Sequence, residues 1–205
     1  VSVKSKDYPK FINNNLILVD TSSSNPFCQM PAEGSRYNTV HAATVRNLCV
    51  YLNEKKLIKD ITSVGVTTPY KAQQLFISDL LKEFGLKDVV SGTVHRFQGD
   101  QKDIVIFDIP DSEGVFPSPL INAASSREQG AKLMNVAFSR SKDILIVFAN
   151  VVYLQERLPA TSILRNLILD LQNKINVIDI KEIIKLGPFS LPTRPNLTPK
   201  TKIKI

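Results

Sequence analysis

Arg140 is the residue of this chain whose chemistry is simplest to state. It lies in Leu-Met-Asn-Val-Ala-Phe-Ser-Arg-Ser-Lys (133–142), on a segment of helical composition that leads into the apolar run ILIVFA (144–149). A permanently charged, planar guanidinium aimed past a sheet edge can stabilise charge developing on a transferring phosphoryl group. A surface salt bridge is its ordinary alternative. Asn135, Ser139 and Lys142 fall within about one helical turn of it, on or near one face.

Two further blocks carry side chains of related use. In Gly-Thr-Val-His-Arg-Phe-Gln-Gly-Asp-Gln-Lys-Asp (92–103), Thr93 and His95 precede Gln98-Gly99. Gly99 lets the backbone turn sharply or approach a ligand, and Gln98 both donates and accepts; a lone His95 is more often structural, and Phe97 more often core. In Val-Gly-Val-Thr-Thr-Pro-Tyr-Lys-Ala-Gln (64–73), Pro69 fixes the turn after a short strand and places Tyr70 at the mouth of a site. Its ring there can stack on a purine, the default being a ring packed in the core. Lys71 and Gln73 follow on the emerging helix. Each block sits where an apolar run ends or a helix begins, so all three are expected over one sheet edge, where open α/β sheets bind ligands.

The elements that must hold these blocks follow from periodicity. Short apolar runs at 16–20, 63–67, 89–94, 104–108 and 144–149 read as strands, the last the most strongly buried. Helical spacing predicts a surface helix over 38–56 with Asn38 or Thr39 as N-cap, and a second over 71–84 stopped by Gly85. Further helices are expected over 126–141 and 161–172, the latter capped by Thr161 or Ser162, with a Pro, Gly and Ser-rich loop at 111–125 between strand and helix. Strands alternating with helices, and apolar on both faces, predict an α/β fold with a mostly parallel sheet covered on both sides. The expected organisation is a linker at 1–15, one domain at 16–187 and a Pro-rich basic tail at 188–205.

Bulk composition narrows the partners. The chain has 205 residues, enough for one α/β domain and too few for two. Its formal charge of +7 fits a polyanionic partner, although part of the excess lies in the ends. No apolar run approaches the roughly 20 residues that cross a bilayer, so no membrane is expected. Cys28 and Cys49, without CxxC or metal-ligand spacing, read as idle reduced thiols, predicting no metal site and an intracellular location, cytoplasmic or, in a eukaryote, nuclear. The start at Val1-Ser2-Val3, without Met or signal segment, points to a piece of a longer protein.

Together the blocks resemble motifs of superfamily 1 helicases, in the branch that includes the nonsense-mediated-decay helicase and senataxin. TPYKAQ is similar to the family's TPY-x-x-Q, GTVHRFQGDQKD to S/T-V-x-x-FQG-x-E-x-D, and NVAFSRSK to NVA-L/F-T/S-R-A-R. The region from about 16 to 150 then corresponds to the second of two RecA-like domains. The resemblance implies that Tyr70 faces adenine, that Gln98 and Gly99 line the nucleotide cleft, and that Arg140 reaches the γ-phosphate as arginine finger. Thr93 and His95 would contact the nucleic-acid strand, with Thr68 and Asn135 on the same track and Lys71, Gln73 and Lys142 near the nucleotide. Three positions depart from the pattern: Gln101 replaces a ribose-contacting Glu, Gln74 stands where some members have a γ-phosphate Arg, and Lys142 replaces the second Arg, losing bidentate geometry.

No Gly-Lys dipeptide occurs, hence no GxxxxGK[ST] phosphate loop, and no Asp-Glu pair for magnesium. The resemblance therefore implies ATP and Mg²⁺ held with a preceding RecA-like domain of a longer polypeptide, single-stranded DNA or RNA as partner, 5′-to-3′ movement, and no hydrolysis by this piece alone. A helicase-derived module that only binds nucleic acid is the alternative. An unrelated Rossmann-like enzyme is disfavoured by the lack of a glycine-rich first loop.

Overall fold

A computed structural model describes residues 12, 14–31, 34–58, 60–93, 101–125, 129–174 and 177–187. In chain order its elements are β1 (Leu16–Asp20), β2 (Cys28–Gln29), β3 (Tyr37–Asn38), α1 (Thr39–Glu54), β4 (Val64–Thr68), α2 (Lys71–Glu83), β5 (Val90–Thr93) and β6 (Lys102–Ile109). They continue with α3 (Gln129–Phe138), β7 (Ser141–Ala149), α4 (Val151–Arg157), α5 (Ile163–Lys174), β8 (Val177–Asp179) and α6 (Ile180–Ile184). Six strands form one sheet in the order β5-β4-β6-β7-β1-β8, and every neighbouring pair is parallel. The small β2-β3 pair is antiparallel and separate.

Continuous apolar runs become intelligible once the two faces are separated. Ile17 and Val19, Ile104 and Ile106, and Ile144, Ile146 and Phe148 point into one core, which α1, α2 and α6 cover. Leu18, Val105, Phe107, Leu145 and Val147 point into the other, under α3, α4 and α5. A period of two on a sheet buried on both sides leaves no polar position in the strand centre. The α/β fold expected from the sequence is the fold observed.

Local signals act where they were read. The Asn38 side chain accepts from the Val40 and His41 amides and starts α1, while Gly85, at φ +74°, follows the last turn of α2. One correction concerns α1: it is no surface helix, since every residue from His41 to Val50 is buried between the sheet, α2 and α6. The 126–141 helix is shorter than expected, running Gln129–Phe138, because Ser141 already belongs to β7; residues 126–128 lie outside those described. Lys102 and Asp103 extend β6 into a segment expected to be polar loop. Elements α4, β8 and α6 were not anticipated, being too short to show a period.

Cys28 and Cys49 are free and buried, and burial pushes both thiols up to about 12. Among the described residues, no helix is long and apolar enough to cross a membrane.

Candidate functional site

Because all strands run the same way, the start of β7 and the end of β4 lie at opposite edges of the sheet. The third sequence block precedes β7 and the first follows β4, so they cannot share an edge. In register, Lys102 pairs with Ser141 at one end of β6 and Phe107 with Thr67 at the other. At about 3.3 Å per residue the two edges are roughly 20 Å apart. The expectation of one common edge is thereby corrected.

The strand-start edge carries Arg140, Gln101 and Lys142. The Lys102 amide donates to the Arg140 carbonyl at 3.0 Å, and the β6–β7 register shifts between Lys102 and Ile104, a bulge of the kind that re-aims side chains at sheet rims. Arg140 is half-buried, and its Nε is buried with no hydrogen-bond partner among the described residues. Among the described residues no carboxylate pairs with it. Lys142 and Gln101 are exposed beside it, and Lys142 Nζ lies 3.9 Å from Asp103 Oδ1. Asn135, exposed near the end of α3, belongs to this edge and not to a track shared with Thr68 and Thr93. These cationic and amide groups suit a phosphate oxygen.

At the strand-end edge, Thr68 of β4 is in register with Thr93 of β5. Thr93 is half-buried, whereas Thr68 is only 1% exposed, and the Thr67 and Thr68 hydroxyls have no partner among the described residues. Lys71 is exposed and donates to Gln74 Oε1 at 3.0 Å; Gln74 in turn donates to the Ser91 carbonyl, fastening α2 to β5. His95, Gln98 and Gly99 lie outside the described residues.

Tyr70 is not at a mouth, and Gln73, expected near the nucleotide, is buried with it. Tyr70 is 5% exposed, donates to Ser118 Oγ at 2.8 Å and lies under the Arg36 guanidinium, 5.4 Å from the ring centroid. Burial, then the nearby Asp111 carboxylate, push its phenol well above the ordinary range. Arg36 pairs with Asp111 and donates to the Phe116 carbonyl at 2.6 Å; burial raises the Asp111 carboxyl despite Tyr70 and Arg36. Gln73 accepts from the Asn38 amide at 2.8 Å and donates to Asp108 Oδ2 at 2.6 Å. Asp108 Oδ1 faces His41 Nδ1 at 2.7 Å, and His41 Nε2 faces Thr21 Oγ1 at 2.9 Å. An acceptor-only carboxylate sets the proton on Nδ1. A ring held this way offers no open stacking face: Tyr70→Phe should lower stability by about 1 kcal/mol, a Tm drop of roughly 2–4 °C, and leave nucleotide affinity unchanged in a titration.

Comparison with known proteins gives this geometry a family. An AAA domain family matches residues 2–152. The chain belongs to that family. Its relatives are helicases: the DNA polymerase alpha-associated DNA helicase A of Saccharomyces cerevisiae is 31% identical over 60% of the chain. The DNA replication ATP-dependent helicase/nuclease DNA2 of Bos taurus is 26% identical over 82%, and the RNA helicase Mov10l1 of Homo sapiens 30% over 57%. The chain spans only 17%, 16% and 10% of these proteins' respective lengths.

Within this AAA domain, the residues that sequence reasoning missed are Arg36, Asp111, Asp108, His41 and Thr21. No local spacing joins them, since Arg36 and Asp111 are 75 positions apart and His41 and Asp108 are 67. One signal was legible: both LILVD and IVIFD close a buried apolar run with an acid, which must find donors at the strand end.

Proposed function

We propose that this chain is the second RecA-like motor domain of an ATP-dependent superfamily 1 helicase, in the branch of the nonsense-mediated-decay helicase and senataxin. The observation that carries the reading is Arg140: a half-buried guanidinium beside a register shift, its Nε without a partner among the described residues. Leaving a buried donor unmet costs about 1–3 kcal/mol, so such a group is expected to have a use. Gln101 and Lys142 stand with it as further phosphate and ribose contacts, and the similarity to proteins named as helicases supports the reading.

In this reading ATP is bound between the Arg140 edge and a preceding RecA-like domain that supplies the phosphate loop and the Mg²⁺ ligands. A DNA or RNA single strand lies along the opposite edge at Thr93 and, once that edge opens, Thr68. Closing the interdomain cleft brings Arg140 to the γ-phosphate, and opening it moves the strand. Gln74 supports a second reading, a module that only binds: it is buried in a structural bond to β5 and offers nothing to a phosphate.

Steady-state ATPase assays on the isolated chain and on the longer native protein separate the two. The isolated chain should show no turnover above background, and the longer protein should hydrolyse ATP with Mg²⁺, faster when a single strand is added. Stoichiometric hydrolysis by residues 1–205 alone would overturn the half-site reading. A longer protein that binds strand and ATP without turnover would favour the binding module.

A further inference from the structure

Tyr70 has one hydroxyl proton and two neighbours that accept protons. It donates to Ser118 Oγ at 2.8 Å. The Asp111 carboxylate also stands beside it, and Arg36 joins the two by pairing with Asp111 and covering the Tyr70 ring. Asp111 Oδ2 is buried and has no hydrogen-bond partner among the described residues. A phenol carries a single proton to donate. With the proton on Ser118, Asp111 Oδ2 stays unmet; with it on Asp111, the carboxylate is met and Ser118 is released.

Ser118 holds the turn that leads from β6 towards α3. Its Oγ accepts from the Leu120 amide at 3.0 Å, and its carbonyl from the Ile121 and Asn122 amides, both at 3.0 Å. The Leu120 carbonyl in turn presses on the first turn of α3, where a Cβ at Gly130 would stand 2.6 Å from the Leu120 oxygen and 3.2 Å from Ala123 Cβ. Backbone packed so closely on backbone passes a shift of the turn on to the helix. The ten residues of α3 span about 15 Å. The helix runs back from this turn to the opposite edge of the sheet, where Phe138 meets Phe107 of β6 edge-on at 5.8 Å and Arg140 follows. One helix therefore has the Tyr70 turn at its start and the guanidinium at its end.

Unmet polar atoms mark both ends of this connection. Among the described residues, four buried side-chain nitrogen or oxygen atoms have no hydrogen-bond partner: Thr67 Oγ1, Thr68 Oγ1, Asp111 Oδ2 and Arg140 Nε. The first three belong to the strand-end edge, where Tyr70 follows Thr68 by two residues and Thr68 is in register with Thr93; the fourth is at the far end of α3. Buried groups left unmet are unfavourable, so an arrangement that satisfies them competes with the one observed.

We infer that Tyr70 is a positioning residue for Arg140: a single strand seated on the Thr93 edge moves the Tyr70 hydroxyl from Ser118 to Asp111, and the released turn lets α3 carry the guanidinium towards the γ-phosphate. The inference rests on the motor reading for the presence of a single strand and of ATP. In the absence of a single strand the Tyr70 to Ser118 bond acts as a latch.

The test uses the longer native protein with Tyr70→Phe, Ser118→Ala and both together, each a loss of one hydroxyl, with thermal melts to confirm folding; should one single variant melt below the assay temperature, the other decides. Opening the latch should raise ATP turnover without a single strand by at least about fivefold, the lower end of ordinary coupling between two sites, and leave the strand-stimulated rate within about twofold of wild type. The double variant should match the single ones, because both cut the same bond. Coupling in binding is reciprocal, so the tightening of a labelled single strand by a non-hydrolysable ATP analogue, read by anisotropy without turnover, should shrink by a similar factor. A merely structural bond gives the opposite sign: basal and stimulated rates falling together would overturn the inference, as would an unchanged ratio of the two in both single variants. If the wild-type protein is not stimulated by a single strand, or Arg140→Ala keeps its turnover, the motor reading itself fails and this inference with it.

Discussion

Arg140→Ala in the full-length protein should lower kcat by at least about 100-fold while the affinity for ATP changes far less, because a finger acts on charge that appears only in the transition state. Arg140→Lys should recover little, since an ammonium cannot reproduce the planar fork. Stability gives an independent check. A structural arginine loses partners when truncated and its protein melts earlier; Arg140 has no carboxylate partner among the described residues, and its Nε is already unmet. Truncation therefore removes a cost, and Tm should hold or rise. The combination of lost turnover, near-constant ATP affinity and unreduced Tm is what a surface or structural arginine does not produce. Near-native turnover in a folded Arg140→Ala protein would remove the main support of the motor assignment.

How much of this was legible beforehand depended on the range of the interaction. Strands β1, β4 and β7 and helix α2 were readable because a period or a cap repeats within a few residues: LILVD, ILIVFA, and the stop at Gly85. The edge that each block occupies was not readable from motif order, since it depends on whether a block precedes or follows its strand in a sheet whose strands are all parallel. Tyr70 shows the same limit. Its place after Pro69 suggested a mouth, but Arg36 and Ser118 enclose it from 34 and 48 positions away, pairings with no local signature. Three of the residues expected in the site, His95, Gln98 and Gly99, lie outside the described residues, so their expected roles stand as proposals.

The buried polar hub carries the largest expected effect on stability. Asp108 closes β6 and serves two fully enclosed donors, His41 Nδ1 at 2.7 Å and Gln73 Nε2 at 2.6 Å, joining the sheet to α1 and α2. Asp108→Ala leaves both donors in a region without water access, and breaking a buried pair from one side costs about 3–5 kcal/mol. For a domain of this size that is a fall in Tm of about 10 °C. Asp108→Asn retains one acceptor and should fall between the alanine variant and wild type. The control is Asp103→Ala, whose exposed contact with Lys142 at 3.9 Å is worth less than about 0.5 kcal/mol. Thermal melts of the three variants measure the difference directly. If Asp108→Ala melts within about 2 °C of wild type, the hub is not what fixes the strand-end edge. The position of Thr68, Tyr70 and the Phe116 loop would then have to be held by the apolar cores alone.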